Sequence, residues 1–134
     1  MKYQNLIFNL PMGYEINEAY NGNITITNKL IGVGAITISR YEIPTNYEFI
    51  IQNELNDFLI TIENYSENLK RIDKQINKNR FCTEFVTLKK IFWKIWIFYE
   101  YGIAIFISYN CEAIFKRSEV FVIDEIVKSI QIKS

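Results

Sequence analysis

The stretch IFWKIWIFYEYGIAIFISY, residues 91–109, decides how the rest of the chain is read. Its odd positions run Ile91, Trp93, Ile95, Ile97 and Tyr99, then Ile103, Ile105, Ile107 and Tyr109, while the even positions include Lys94, Glu100 and Ser108. Alternation with a period of two marks strands, and Gly102 marks a reversal. Odd residues of both strands share one face only if the loop holds an odd number of residues, because a one-residue slip turns a strand over. The spacing therefore predicts a hairpin closed by a three-residue loop, Glu100-Tyr101-Gly102. Gly102 then stands where a type I turn with a bulge needs positive φ. The predicted inner face is a single row of isoleucines. The even face carries Phe92, Trp96, Phe98 and Phe106 and is predicted to be partly covered by a helix or a partner.

Length and composition agree with a folded domain. A chain of 134 residues fits one domain spanning 1–134 with a sizeable core, since chains near 150 residues bury roughly 70% of the surface they expose when unfolded. Hydrophobic content of 49% and aromatic content of 16% exclude general disorder. Fifteen lysines and arginines balance fifteen aspartates and glutamates, which removes the bulk electrostatic case for nucleic acid or an anionic membrane. Residues 91–109 are too interrupted, by Lys94, Glu100 and Gly102, for a membrane span of about 20 apolar residues. The first residues, MKYQNLIFN, lack the apolar core and cleavage site of a secretion signal, so a cytoplasmic location is expected.

Along the chain, residues 5–8 predict a short strand ended by Leu10-Pro11-Met12-Gly13, and residues 14–20 alternate weakly. Asn21-Gly22 is a hairpin dipeptide leading into a strand at residues 23–28. Residues 31–43 continue the strand pattern until Pro44. Then the period lengthens: Ile51, Leu55, Phe58 and Ile62 predict an amphipathic helix over residues 47–63, capped by Thr45 or Asn46. The polar stretch 64–80 is too long for a bare loop and predicts a lysine-bearing edge strand near residues 69–74. Residues 81–88 alternate again. Lys89-Lys90 suits a type I′ turn poorly, which leaves a longer loop or one bent strand. Ser118 is a candidate cap for a helix over residues 119–130, with Val120, Ile123, Ile126, Val127 and Ile130 on one stripe and Glu119 in the first turn.

This order of elements, with Leu10-Pro11-Met12-Gly13-Tyr14 at its start and a last helix ending Lys128-Ser129-Ile130, resembles the PsbP-like superfamily. Its members have a "Leu-Pro-x-Gly-aromatic" turn and a "Ser-Ile" finish. The resemblance implies an α+β fold: a twisted antiparallel sheet of about six to seven strands with two main helices packed on it. It implies a binding or accessory role, and the small bacterial members of this look include immunity proteins that sit beside toxins. It brings no catalytic residues.

Chemistry by motif is sparse. The chain has no histidine, so the commonest general base and metal ligand is missing, and no Ser-His-Asp or Cys-His arrangement can form within it. Cys82 and Cys111 have no CxxC spacing; buried reduced thiols are expected, with a disulfide or redox thiol as alternatives. Glu84 with Glu100 or Glu112 is conceivable as a carboxylate pair, but solvated strand carboxylates are the expectation. Gly32-Val33-Gly34 is too short to cradle a phosphate. Lys89, Lys90 and Lys94 among Phe92, Trp93 and Trp96 would suit single-strand stacking, yet core aromatics at a lysine-edged sheet are the plainer reading. No enzyme, cofactor or metal is expected. The expected function is protein binding, as an immunity protein neutralising a toxin, with Phe92, Lys94, Trp96, Phe98 and Tyr101 as the partner-binding residues. The alternative is a small-molecule or lipid binder, or a weak enzyme, using a cavity between sheet and helix of about 300 Å³ or more lined by Trp93, Trp96 and Phe106.

Overall fold

The computed structural model describes residues 2–3, 6–19, 21–30 and 32–133. Expectations that touch Asn5, Tyr20 and Ile31 lie outside the described residues. In chain order the elements are β1 (Lys2–Tyr3), β2 (Leu6–Ile7), β3 (Tyr14–Glu18), β4 (Ile24–Asn28), β5 (Gly34–Glu42), α1 (Ile51–Leu59), β6 (Ile72–Asn77), β7 (Arg80–Val86), β8 (Ile91–Glu100), β9 (Ile103–Glu112), α2 (Lys116–Lys128) and β10 (Gln131–Ile132). Seven strands form one antiparallel sheet in the order β3-β4-β5-β9-β8-β7-β6, and β1-β2-β10 form a small second one. The fold is α+β, as the sequence predicts.

The central hairpin differs from the predicted one in its loop, and the difference reorganises the core. Glu100 pairs with Ile103, so the loop is the two residues Tyr101 and Gly102, with φ of 55° and 71°. Two successive positive φ values make a type I′ turn, whose twist matches that of the flanking strands. Odd residues of β8 consequently share a face with even residues of β9, as the pairs Ile97 with Phe106 and Trp96 with Ile107 show. The single isoleucine row does not exist. Ile95 and Ile97 lie under α1 with Leu55, Leu59, Phe81 and Phe85, whereas Ile103, Ile105 and Ile107 lie under α2 with Phe92, Trp96 and Phe98. The three-residue loop occurs one hairpin earlier. Thr87 N–H donates to the Ile91 carbonyl and Lys90 N–H to the Thr87 carbonyl, with Lys90 at φ 65°.

Each helix is placed by its apolar stripe and is shorter or shifted relative to its prediction. α1 starts at Ile51 rather than Tyr47, because Tyr47 N–H is committed to a turn with the Pro44 carbonyl; Ile50 precedes the helix without a side-chain cap. It ends where Thr61 Oγ1 donates to the Phe58 carbonyl at 2.6 Å. α2 starts three residues before the predicted Glu119, after a 3-10 turn at Ala113–Phe115, which leaves Ser118 inside the helix and not at its cap. The edge strand falls at Ile72–Asn77, three residues beyond its predicted start, with every residue exposed. Cys82 and Cys111 are buried free thiols in strands.

Close approach decides one glycine. A Cβ on Gly34 would stand 2.2 Å from the Asn110 carbonyl oxygen of the neighbouring strand and 2.9 Å from the Tyr109 ring. Neither the backbone nor a fully buried ring can yield. Gly34→Ala is expected to lower stability by about 2–3 kcal/mol, the upper part of the roughly 1–3 kcal/mol range of overpacked cores, measured as a shift in the urea midpoint. An unchanged midpoint would contradict this packing.

Candidate functional site

β5 leaves the sheet at Glu42, and Ile43 N–H is tied to the Gly102 carbonyl at 2.8 Å. The chain then turns at Pro44 and crosses the sheet to reach α1. Because α1 is short and its buried residues lie over β7 and β8, the same face remains open over β5 and β9. The result is a groove of about 550 Å³ between the end of β5, the crossing segment and α1. Phe106 forms its centre. Tyr41 meets that ring edge-on at 5.6 Å, Phe49 edge-on at 6.3 Å, and Phe58 stacks at 5.9 Å. Phe49 is itself stacked on Tyr99 at 4.4 Å, which fixes the wall. Edge-to-face and offset rings at these separations attract beyond their area burial.

Charge at the groove has one sign. Glu42, Glu54 and Asp57 line it, and among the described residues no lysine or arginine does. Glu42 lies at the rim, and its carboxylate turns to the α2 face with Arg40, 3.6 Å away, because these two residues pair with Ile103 and Ile105; Glu54 and Asp57 carry the charge of the groove. Tyr47 donates its hydroxyl to Glu54, and this bond, more than burial, raises the tyrosine above its ordinary range. Tyr41 is 51% exposed, so the groove presents an aromatic surface to solvent.

The predicted partner-binding residues are not brought together. Phe92, Trp96 and Phe98 are 2%, 3% and 1% exposed beneath α2, so their rings are core and reach no partner while α2 is docked. Lys94 is held by Asp124 of α2 at 2.9 Å. Tyr101 alone is freely exposed, at the tip of the hairpin. The predicted cavity residues also separate: Phe106 lines the groove, Trp93 packs with the α1 core, and Trp96 lies on the other face. Glu84 sits opposite Lys94, and Glu100 is paired with Arg80 at 2.8 Å, so the conceivable carboxylate pair does not form. Among the described residues no group of three or more Cys, Asp or Glu could hold a metal ion. No described helix is long and apolar enough to cross a membrane.

Sequence reasoning missed the buried polar cluster on the opposite face. Glu119, 3% exposed, accepts hydrogen bonds from the hydroxyls of Tyr14 and Tyr109, each at 2.7 Å, and from the N–H groups of Val33 and Gly34 at 3.3 and 3.1 Å. Burial first, then partners including this carboxyl, raise both tyrosines well above their ordinary range. Glu119 lies four residues before Ile123, on the apolar stripe of α2. That spacing was the available signal. The glycine-flanked amides that look like an anion nest hold the chain's own carboxyl group.

The fold is PsbP-like. Cyanobacterial PsbP (CyanoP) from Synechocystis sp. PCC 6803 superposes over 96% of this chain and 86% of its own, with a TM-score of 0.71 and 11% identity. A crystal structure from Bacteroides thetaiotaomicron VPI-5482 superposes over 97% of this chain with a TM-score of 0.64 and 15% identity, and this chain spans 46% of that longer one. No protein-family model matches the sequence, and no curated protein matches it significantly.

Proposed function

We propose that this chain is a non-enzymatic binding domain that docks a protein partner in the groove between β5 and α1, and that the partner is a toxin it neutralises. The groove itself carries the reading: a volume of about 550 Å³, walled by packed aromatic rings and open to solvent. Exposed aromatic surface of this kind is characteristic of interface hot spots. The resemblance of the sequence to small immunity proteins supplies the class of partner.

The test is co-expression with the product of the adjacent gene, with a photo-crosslinking residue at Tyr41 in one variant and at Tyr101 in a second. Crosslinking at Tyr41 is expected, together with relief of toxicity. Tyr41→Ala is expected to weaken the complex roughly 10- to 100-fold, the range of a hot-spot aromatic. Crosslinks that form only at Tyr101, or relief of toxicity indifferent to Tyr41, would remove the groove from the reading. The volume also suits a small apolar ligand. That second reading requires bound lipid or metabolite in the purified protein, detectable by native mass spectrometry.

A further inference from the structure

We propose that the groove is selective for a cationic side chain on an apolar stem, an arginine presented next to an aromatic residue by the partner. This rests on the docking reading above and specifies what the partner must carry. Three features converge. The lining pairs aromatic faces, Tyr41, Phe49, Phe58 and Phe106, with the carboxylates Glu54 and Asp57. A guanidinium is attracted both by ring faces and by carboxylates, and its weak hydration makes it cheaper to desolvate than an ammonium. No described cation lines the groove to neutralise those carboxylates, and Arg40 engages only Glu42, at the rim.

The opposite face of the sheet has the reverse character and provides an internal contrast. There a cleft of about 460 Å³ between β6, β8 and α2 is lined by Lys74, Arg80, Lys94 and Lys128 against Asp124 alone. Its aromatic rings are already covered: the Arg80 guanidinium lies 4.0 Å from the centre of Phe98, and Lys94 Nζ 5.3 Å from that of Trp96. On that side the chain supplies its own cations to its aromatic rings. In the groove no cation among the described residues covers the rings, and a partner's arginine completes the arrangement.

The probes are N-acetyl-Phe-Arg-amide and N-acetyl-Phe-citrulline-amide, which differ in charge at nearly constant shape, titrated into the full chain and followed by amide and aromatic NMR shifts. The arginine peptide is expected to shift Tyr41, Phe58 and Phe106 and to bind at least 10-fold tighter than the citrulline peptide. The double variant Glu54→Gln, Asp57→Asn is expected to erase that preference. Both positions lie outside the buried core, so the variant keeps its fold, which its unperturbed Ile95 and Ile97 signals verify. Equal binding of the two peptides in the groove overturns the charge selectivity and leaves the docking reading standing. Shifts confined to the Lys74 and Lys128 cleft, or none, also overturn it, and the crosslinking experiment then decides the docking reading separately.

Discussion

Glu119→Ala is expected to destabilise the protein by about 3–5 kcal/mol, as for other buried polar clusters that lose their central partner. The side chain joins β3, β5, β9 and α2, and its removal leaves two tyrosine hydroxyls and two backbone amides facing a cavity. Glu119→Gln keeps an acceptor oxygen for Tyr109, Val33 and Gly34 and turns its amide nitrogen toward the Tyr14 hydroxyl, which must reverse from donor to acceptor, so an intermediate loss is expected. Urea denaturation measures both. A Glu119→Ala loss within the ±0.5 kcal/mol typical of surface substitutions would show that the cluster does not hold α2 to the sheet.

The same cluster sets an alkaline limit. Tyr14 and Tyr109 are raised in the folded state above the ordinary tyrosine value of 10.0. The folded protein therefore retains protons that the unfolded chain releases above pH 10. Stability is fully present below that pH and falls as pH rises beyond it. Tyr109→Phe is expected to flatten this alkaline decline, read from denaturation midpoints between pH 9 and pH 11.

Phe98→Ala is expected to cost about 3–5 kcal/mol, the range for truncating a buried phenylalanine. Phe98 is 1% exposed and also supports the Arg80 guanidinium at 4.0 Å. Folded domains are stable by only about 5–15 kcal/mol, so the variant forfeits a large share of the total. Tyr101→Ala, on the same hairpin but 68% exposed, is expected to change stability by less than about 0.5 kcal/mol. The pair of measurements separates structural from surface aromatics on one ribbon. Equal small effects would contradict the placement of β8 beneath α2.

The order of the elements was legible because it depends on local signals. Pro44, the change of period after it, Asn21-Gly22 and the stripe from Ile123 to Ile130 each act within a few residues. Register was not legible, because β8 and β9 are buried on both faces and their alternation no longer marks inside from outside. Phe106 and Ile105 are both apolar, so parity alone does not assign either one to a helix. β2 falls within the strand predicted at residues 5–8, whereas the two-residue strands β1 and β10 have too few residues to show a pattern and are defined by their pairing with β2, as at Ile132 with Leu6. Of the groove, only Phe106 and its place between sheet and helix were legible, for a related reason. Tyr41, Tyr47, Phe58 and Phe106 come from separate parts of the chain, and their convergence depends on how far α1 extends across the sheet.

The tight reversal at Tyr101 and Gly102 makes this protein unusually intolerant of one kind of genetic accident. Adding a single amino acid there would rotate β9 by half a revolution if the strand kept its partners. Asn110 and Ser108 would then be thrust toward α2, and Tyr109 would swing away from Glu119. A substitution on this ribbon disturbs one position of one face, whereas a change of its length between Trp96 and Ile107 exchanges the two faces of a whole strand.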